Sequence, residues 1–192
     1  MPACLFAALL LALPPAAAST GDGAVRLDAE RSRAEFSLRA VWLMRVRGWF
    51  DSVHGDIAID RFRNRAVVDA VIAAGSVAMA SANHAEWVRS PEFFDAAAHP
   101  EIHFVSEPFP LQRLQSGGDF PGQLTLRGLT RDVRFELDPA ACDRPGFDCA
   151  ITAKGNLSRS AFGMHTRRGT LGDKVQLRLR IFTAAPLSHG AR

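Results

Sequence analysis

Residues 175–181 read VQLRLRI. Val175, Leu177, Leu179 and Ile181 form one row and Gln176, Arg178 and Arg180 the other, so the stretch is a strand with one dry face and one wet, basic face. Left in water, a row of this kind would cost roughly 6–12 kcal/mol, at about 1.5–3 kcal/mol per large apolar side chain. Something must cover it. The same alternation recurs along the chain. Ala34, Phe36, Leu38 and Ala40 alternate with Glu35, Ser37 and Arg39, and Val53, Ile57 and Ile59 with His54, Asp56 and Asp60. Leu124 and Leu126 precede Gly128, and Val133, Phe135 and Leu137 follow it; Phe147, Cys149, Ile151 and Ala153 make a further row. Turn signals separate these runs at Gly55, Gly117-Gly118, Pro121-Gly122, Pro145-Gly146 and Gly172-Asp173.

Two segments differ. Residues 66–80, AVVDAVIAAGSVAMA, are apolar on both faces, which predicts a strand covered on both sides. Residues 83–95, NHAEWVRSPEFFD, lack period-two alternation. Asn83 with Glu86 resembles a capping box, and Ser90 before Pro91 reads as an N-cap with a first-turn proline. Two short helices are therefore expected at one side or end of the sheet. They are too small to cover so many dry faces, so the strands must face one another as an antiparallel sandwich or barrel. A barrel has the advantage of removing free edges.

A barrel of about eight strands is either filled by its own side chains or holds one small ligand. Ala70, Ala73, Ala74, Ala78 and Ala80, with Gly75, would leave volume that Phe36, Trp42, Trp49, Phe50, Phe104 and Phe135 could line. Equally, the alanines could oppose the phenylalanines in a solid core. Spacing alone leaves both open.

The chain has 192 residues and a formal net charge of +3. That length suits one domain of ordinary size. The N-terminal stretch holds an apolar run from Leu5 to Leu13 and ends in Ala16-Ala17-Ala18, the pattern of a secretory signal peptide cut after Ala18, although no Lys or Arg precedes the run. The expected organisation is a signal peptide at 1–18, a linker at 19–24, a barrel domain at 25–184 and a tail at 185–192. Export implies an oxidising compartment, where Cys142 and Cys149 would close a structural disulfide across the Pro145-Gly146 turn. Free thiols are the alternative, and a redox pair would need closer spacing.

Chemical motifs are sparse. His99 and His103 could share a metal on a helix, but Pro100 and the run Ile102-His103-Phe104-Val105 indicate a strand, on which they stand about 13 Å apart. Neither a G-x-S-x-G elbow nor a glycine-rich phosphate loop occurs in the sequence. Arg159, Arg167, Arg168 and Lys174 gather around residues 158–174 and read either as a solvated loop edge or as a site for an anionic head group. The small charge excess and the absence of aromatics interleaved with that cluster argue against nucleic acid.

Four stretches together carry a resemblance: RSRAEFSLRA near the start, SPEFFDAAAHPEIHF in the middle, GQLTLRGLTRDVRFEL after it, and SRSAFGMHTRRGTLGDKVQLRLRI at the end. In order and spacing the chain from about Val25 to Ala184 resembles the YceI-like family of secreted polyisoprenoid-binding proteins. The resemblance implies an all-β, extended lipocalin-like antiparallel barrel of about eight strands with one or two short helices at one side. It implies a periplasmic protein with an apolar tunnel holding an isoprenoid chain or similar amphiphile. The stretch VWLMRVRGWF at 41–50 departs from the family pattern, with Arg45 and Arg47 interrupting and Trp42 and Trp49 adding bulk.

On this reading the protein is a non-catalytic lipid carrier without cofactor or metal. Phe36, Leu38, Trp42, Val68, Ile72, Trp87, Phe94, Phe104, Phe135 and Phe162 are expected to line the tunnel, with Arg159 and Arg168 as head-group candidates. Its partners would be the lipid, with transient contact to a membrane or an envelope protein, and a homodimer is compatible. Two competing readings are a secreted lipid-ester hydrolase using His84 or His165, and a filled barrel that only docks an envelope protein.

Overall fold

The computed structural model describes residues 23–41 and 44–187. The leader expected at 1–18, Trp42, and the end of the tail from residue 188 lie outside them. Twelve strands form one antiparallel sheet. They are β1 (Ala24–Arg26), β2 (Arg33–Ala40), β3 (Arg45–Phe50), β4 (Val53–Asp60), β5 (Arg65–Ala73), β6 (Val77–Met79), β7 (Glu101–Ser106), β8 (Phe109–Pro110), β9 (Gly118–Leu126), β10 (Leu129–Leu137), β11 (Ile151–Ser158) and β12 (Leu171–Ile181). The order is β1-β4-β5-β7-β9-β10-β11-β12-β2-β3-β6, with β8 on β5.

Twelve strands replace the expected eight for a physical reason. Phe50 pairs with Val77 across β3 and β6, and Val53 pairs with Ile72 across β4 and β5. These four strands are thus one long hairpin ribbon bent in the middle. The bend falls at residues 51–52 on one arm and at a 3-10 turn, Ala74–Ser76, on the other. Ser76 holds the corner: its hydroxyl donates to Ala73 O at 2.7 Å and accepts from Ser52 N at 3.2 Å. The bent ribbon belongs to both arms of the sheet and curls it into a barrel-like wall. Counting each bent strand once, and setting aside the short β1 and β8, leaves the eight long strands that the periodicity implied. The stretch 66–80 is therefore two strands with a corner between them, not one.

Hairpin chemistry fixes much of the register. At the β9–β10 turn Arg127 and Gly128 both have positive φ, 53° and 69°, and Leu126 pairs with Leu129. That is the two-residue turn whose twist matches the strands it joins. The expected run Phe147–Ala153 begins as a strand only at Ile151, because residues 144–149 fold back on themselves. Gly146 takes φ 87° and donates its N–H to Cys149 O at 2.7 Å, and Cys142 and Cys149 are joined. Closing so short a loop stabilises the fold by roughly 2.5 kcal/mol in the chain-entropy model. Replacing both cysteines by serine is expected to lower stability by about that amount, read as a shifted urea midpoint with an unchanged far-ultraviolet spectrum.

The helices also differ from expectation. Helix α1 spans Ala82–Arg89 with Ser81 as its N-cap and no side-chain capping bond, so Asn83 and Glu86 lie inside it and form no capping box. Ser90 ends α1 rather than starting a second helix. Its carbonyl accepts from Phe93 N and Asp95 N, and Asp95 has φ 50°, so the chain coils in turns while Phe93 and Phe94 point inward. The second helix, α2, is Arg113–Ser116.

Candidate ligand-binding site

The dry row of β12 does not meet a solid core. Val175, Leu177 and Leu179 face inward yet keep some accessible surface, while their neighbours Gln176, Arg178 and Arg180 are exposed. An inward side chain that remains accessible borders empty space. That space is a cavity of about 170 Å³, the size of an apolar cavity that stays dry and takes one benzene, at about 150 Å³. Its lining is almost wholly apolar.

The interior is asymmetric. On the side of β7, β9 and β10, Phe104 meets Phe135 at 5.2 Å and Phe120 at 5.5 Å, and Phe109 meets Phe120 at 5.1 Å between ring centroids. Phe109 and Phe120 fill the space behind, while Phe104 and Phe135, with Ile102, Leu124 and Leu126, form this side of the cavity. On the side of β11, β12 and β2, the inward row is Leu157, Val175, Leu177, Leu179 and Leu38, and the cavity lies against it.

Glycines hold the large rings against the wall. Phe36 pairs with Gly48, and Phe135 with Gly155, across neighbouring strands. A Cβ at either glycine would penetrate the facing ring, and one at Gly122 would meet Phe104. Each ring therefore lies over bare backbone instead of projecting into the centre, which keeps the lumen open.

The end of the cavity is covered by α1, the turns after it, and the segment following β11. Trp87 and Val88 from α1, Phe93 and Phe94 from the turns, and Phe162 and Met164 all contribute to its lining. Phe94 stands edge-on to Phe36 and Phe50, at 5.8 and 5.2 Å. Glu92 ties the cover together. Its carboxylate accepts from Trp87 Nε1 at 2.7 Å and from Arg167 Nε at 3.2 Å, while the Arg167 guanidinium stands 4.8 Å from the Trp87 ring centroid.

Arg159 is buried at 3% exposure and spends its donors on backbone. Nε donates to Gly172 O at 3.1 Å, Nη1 to Met164 O at 2.8 Å, and Nη2 to Leu171 O at 3.1 Å. It clamps the segment after β11 to the start of β12. Asp173 stands beside it. The Ser158 hydroxyl, with Ser160 and the nearby Arg159 charge in support, holds the Asp173 carboxyl below its ordinary range against the opposing effect of burial.

Phe36, Leu38, Ile72, Trp87, Phe94, Phe104, Phe135, Phe162 and Arg159 all border the cavity. Val68 packs against the core but not on the cavity, and Trp42 lies outside the described residues. Arg168 is exposed and donates to His165 Nδ1 at 2.7 Å, away from the lining. Ala74 and Ala78 do not border the space either, so the alanine-rich stretch is not its origin. His84 is part of the lining. His103, on the outer face of β7, meets Asp69 Oδ1 at 2.6 Å, and no cluster of metal-ligating side chains occurs among the described residues. The lining residues that sequence reasoning passed over are chiefly Val175, Leu177 and Leu179. Their signal was the strict alternation itself, which marks the inward face of β12 as plainly as any aromatic.

The YceI-like domain model matches residues 26–182. A UPF0312 protein of Pectobacterium atrosepticum is 28% identical over 165 residues, covering 79% of this chain and 81% of that one. Among solved structures, Burkholderia cenocepacia BcnA superposes with a TM-score of 0.67 at 20% identity, over 81% of this chain and 98% of its own. A polyisoprenoid binding domain from Saccharophagus degradans superposes at 0.63 with 16% identity, over 84% and 98%. The Campylobacter jejuni YCEI protein gives 0.61 at 20% identity, over 77% and 90%. At these identities the structural likenesses establish the fold.

Proposed function

The chain belongs to the YceI-like domain family, and from that premise we propose that it is a non-catalytic binding protein holding the hydrocarbon of an isoprenoid-like amphiphile inside its barrel. The observation that carries this reading is the apolar cavity against β11, β12 and β2. A site with so few polar groups binds by removing apolar area from water, and it discriminates by length and girth rather than by hydrogen bonds. The polyisoprenoid binding domain of Saccharophagus degradans, which shares the fold, supports an isoprenoid as the class of ligand. At about 170 Å³ the cavity takes roughly six or seven heavy atoms, little more than one isoprene unit, since an apolar cavity of about 150 Å³ holds one benzene; a longer chain would have to extend past Leu38, Val46 and Leu171.

The same reading places the protein in the periplasm, exported by a signal peptide cut after Ala18. The apolar run from Leu5 and the small residues before the cut support export. The Cys142–Cys149 bond suits an oxidising compartment. Organic extraction of the purified protein followed by mass spectrometry tests the ligand. A stoichiometric prenyl-chain lipid is the expected result, and protein that is repeatedly lipid-free and takes up no added prenol would reject it.

A further inference from the structure

The hairpin joining β2 to β3 is unusual in what it shows to solvent. Val41 is 42% exposed and Met44 66% exposed. Directly behind this apolar tip Arg39 and Arg45 stand opposite each other across the two strands, and Arg47 follows on the same outer face. Like charges placed directly opposite destabilise a strand pair. Among the described residues none of the three guanidinium groups meets a carboxylate. Exposed Arg168 and Lys174 lie on the neighbouring loop and strand, where Val41 N donates to Thr170 O at 2.9 Å. Asp173, the acid of that region, is engaged by Ser158 and Ser160. Glu35 and Glu136 lie further down the wall, in one row with Arg178 and Lys154.

We propose that the β2–β3 hairpin docks the protein on an anionic phospholipid surface, with Val41 and Met44 entering the interface and Arg39, Arg45 and Arg47 resting on the phosphates. An apolar tip backed by unpaired cations is complementary to such a surface in both of its layers. It also accounts for an opposed arginine pair that no carboxylate among the described residues neutralises. The hairpin is continuous with the cavity: Leu38 and Val46, which line it, pair with each other two residues behind the tip. Docking here sets the cavity lining beside the lipid. The proposal does not depend on what the cavity holds, and its readout involves no cavity ligand.

The test is a Met44→Cys variant in a Cys4→Ser background, labelled at position 44 with an environment-sensitive fluorophore. It is titrated with vesicles of phosphatidylcholine alone and with vesicles containing phosphatidylglycerol. The expected result is a blue shift with the anionic vesicles that disappears in 0.5 M salt, a concentration at which exposed charges are strongly screened. Adding Arg45→Gln and Arg47→Gln is expected to raise the half-saturating lipid concentration roughly 30-fold, about fivefold for each cation. Absence of a shift at any lipid concentration, or equal titrations with neutral vesicles or with the double glutamine variant, overturns the proposal. So does a shift that grows with protein concentration alone, which would assign the tip to a second copy of the chain.

Discussion

Replacing Arg159 by alanine is expected to destabilise the protein by about 3–5 kcal/mol, because three backbone carbonyls lose their donor at about 1–3 kcal/mol each. The guanidinium satisfies three backbone carbonyls, of Met164, Leu171 and Gly172. Its removal leaves those acceptors in a site too enclosed for each to find water, at about 1–3 kcal/mol for an unsatisfied group. For a domain of this size the melting temperature should fall by roughly 10 °C or more. Arg159→Lys should recover only part of the loss, because an ammonium cannot reproduce the planar fork. Thermal melts of the three proteins check this. A melting temperature unchanged in the alanine variant would show that the clamp contributes nothing.

Filling the cavity should do the reverse: leave the fold and remove the ligand. Leu177 faces the cavity and pairs with Gly155 on one side and Phe36 on the other. Leu177→Trp puts an indole into that space. The bound lipid recovered by extraction is expected to fall at least tenfold, equivalent to about 1.4 kcal/mol of lost affinity. The melting temperature should hold or rise, since a ring packed into a void regains contacts that the void had forfeited. Undiminished lipid in a folded Leu177→Trp protein would place the ligand somewhere other than against β12.

The sequence was most informative where one face of a strand is dry. The rows at 34–40, 53–60, 133–137 and 175–181 all became strands with the expected face inward. Local alternation is enough there because slipping by one residue would expose the whole row. The bend at Ala74–Ser76 was not legible, because a corner in an apolar run is made by Ser76 bonding Ser52, a partner distant in sequence. The turns at 90–99 looked helical because Ser-Pro opens turns and helices alike. Much of the lining was legible as large apolar residues on inward faces. The cavity itself was not. It depends on Gly48 and Gly155 lying beneath Phe36 and Phe135, a coincidence of register that no single strand reveals. Arg159 was singled out for its charge, but its burial follows from three carbonyls on a later segment.

The seam between β2 and β12 sets the timing of folding. Ser37 and Gln176 bond across it although 139 residues separate them in sequence. One of the earliest strands to be synthesised must wait for the latest, so no stable wall exists while most of the chain is already made. Topologies dominated by such distant pairings mature slowly, in milliseconds to seconds. In that interval the polypeptide stays loose enough to be threaded through a narrow pore, and arrival of the final strand commits it to its shape.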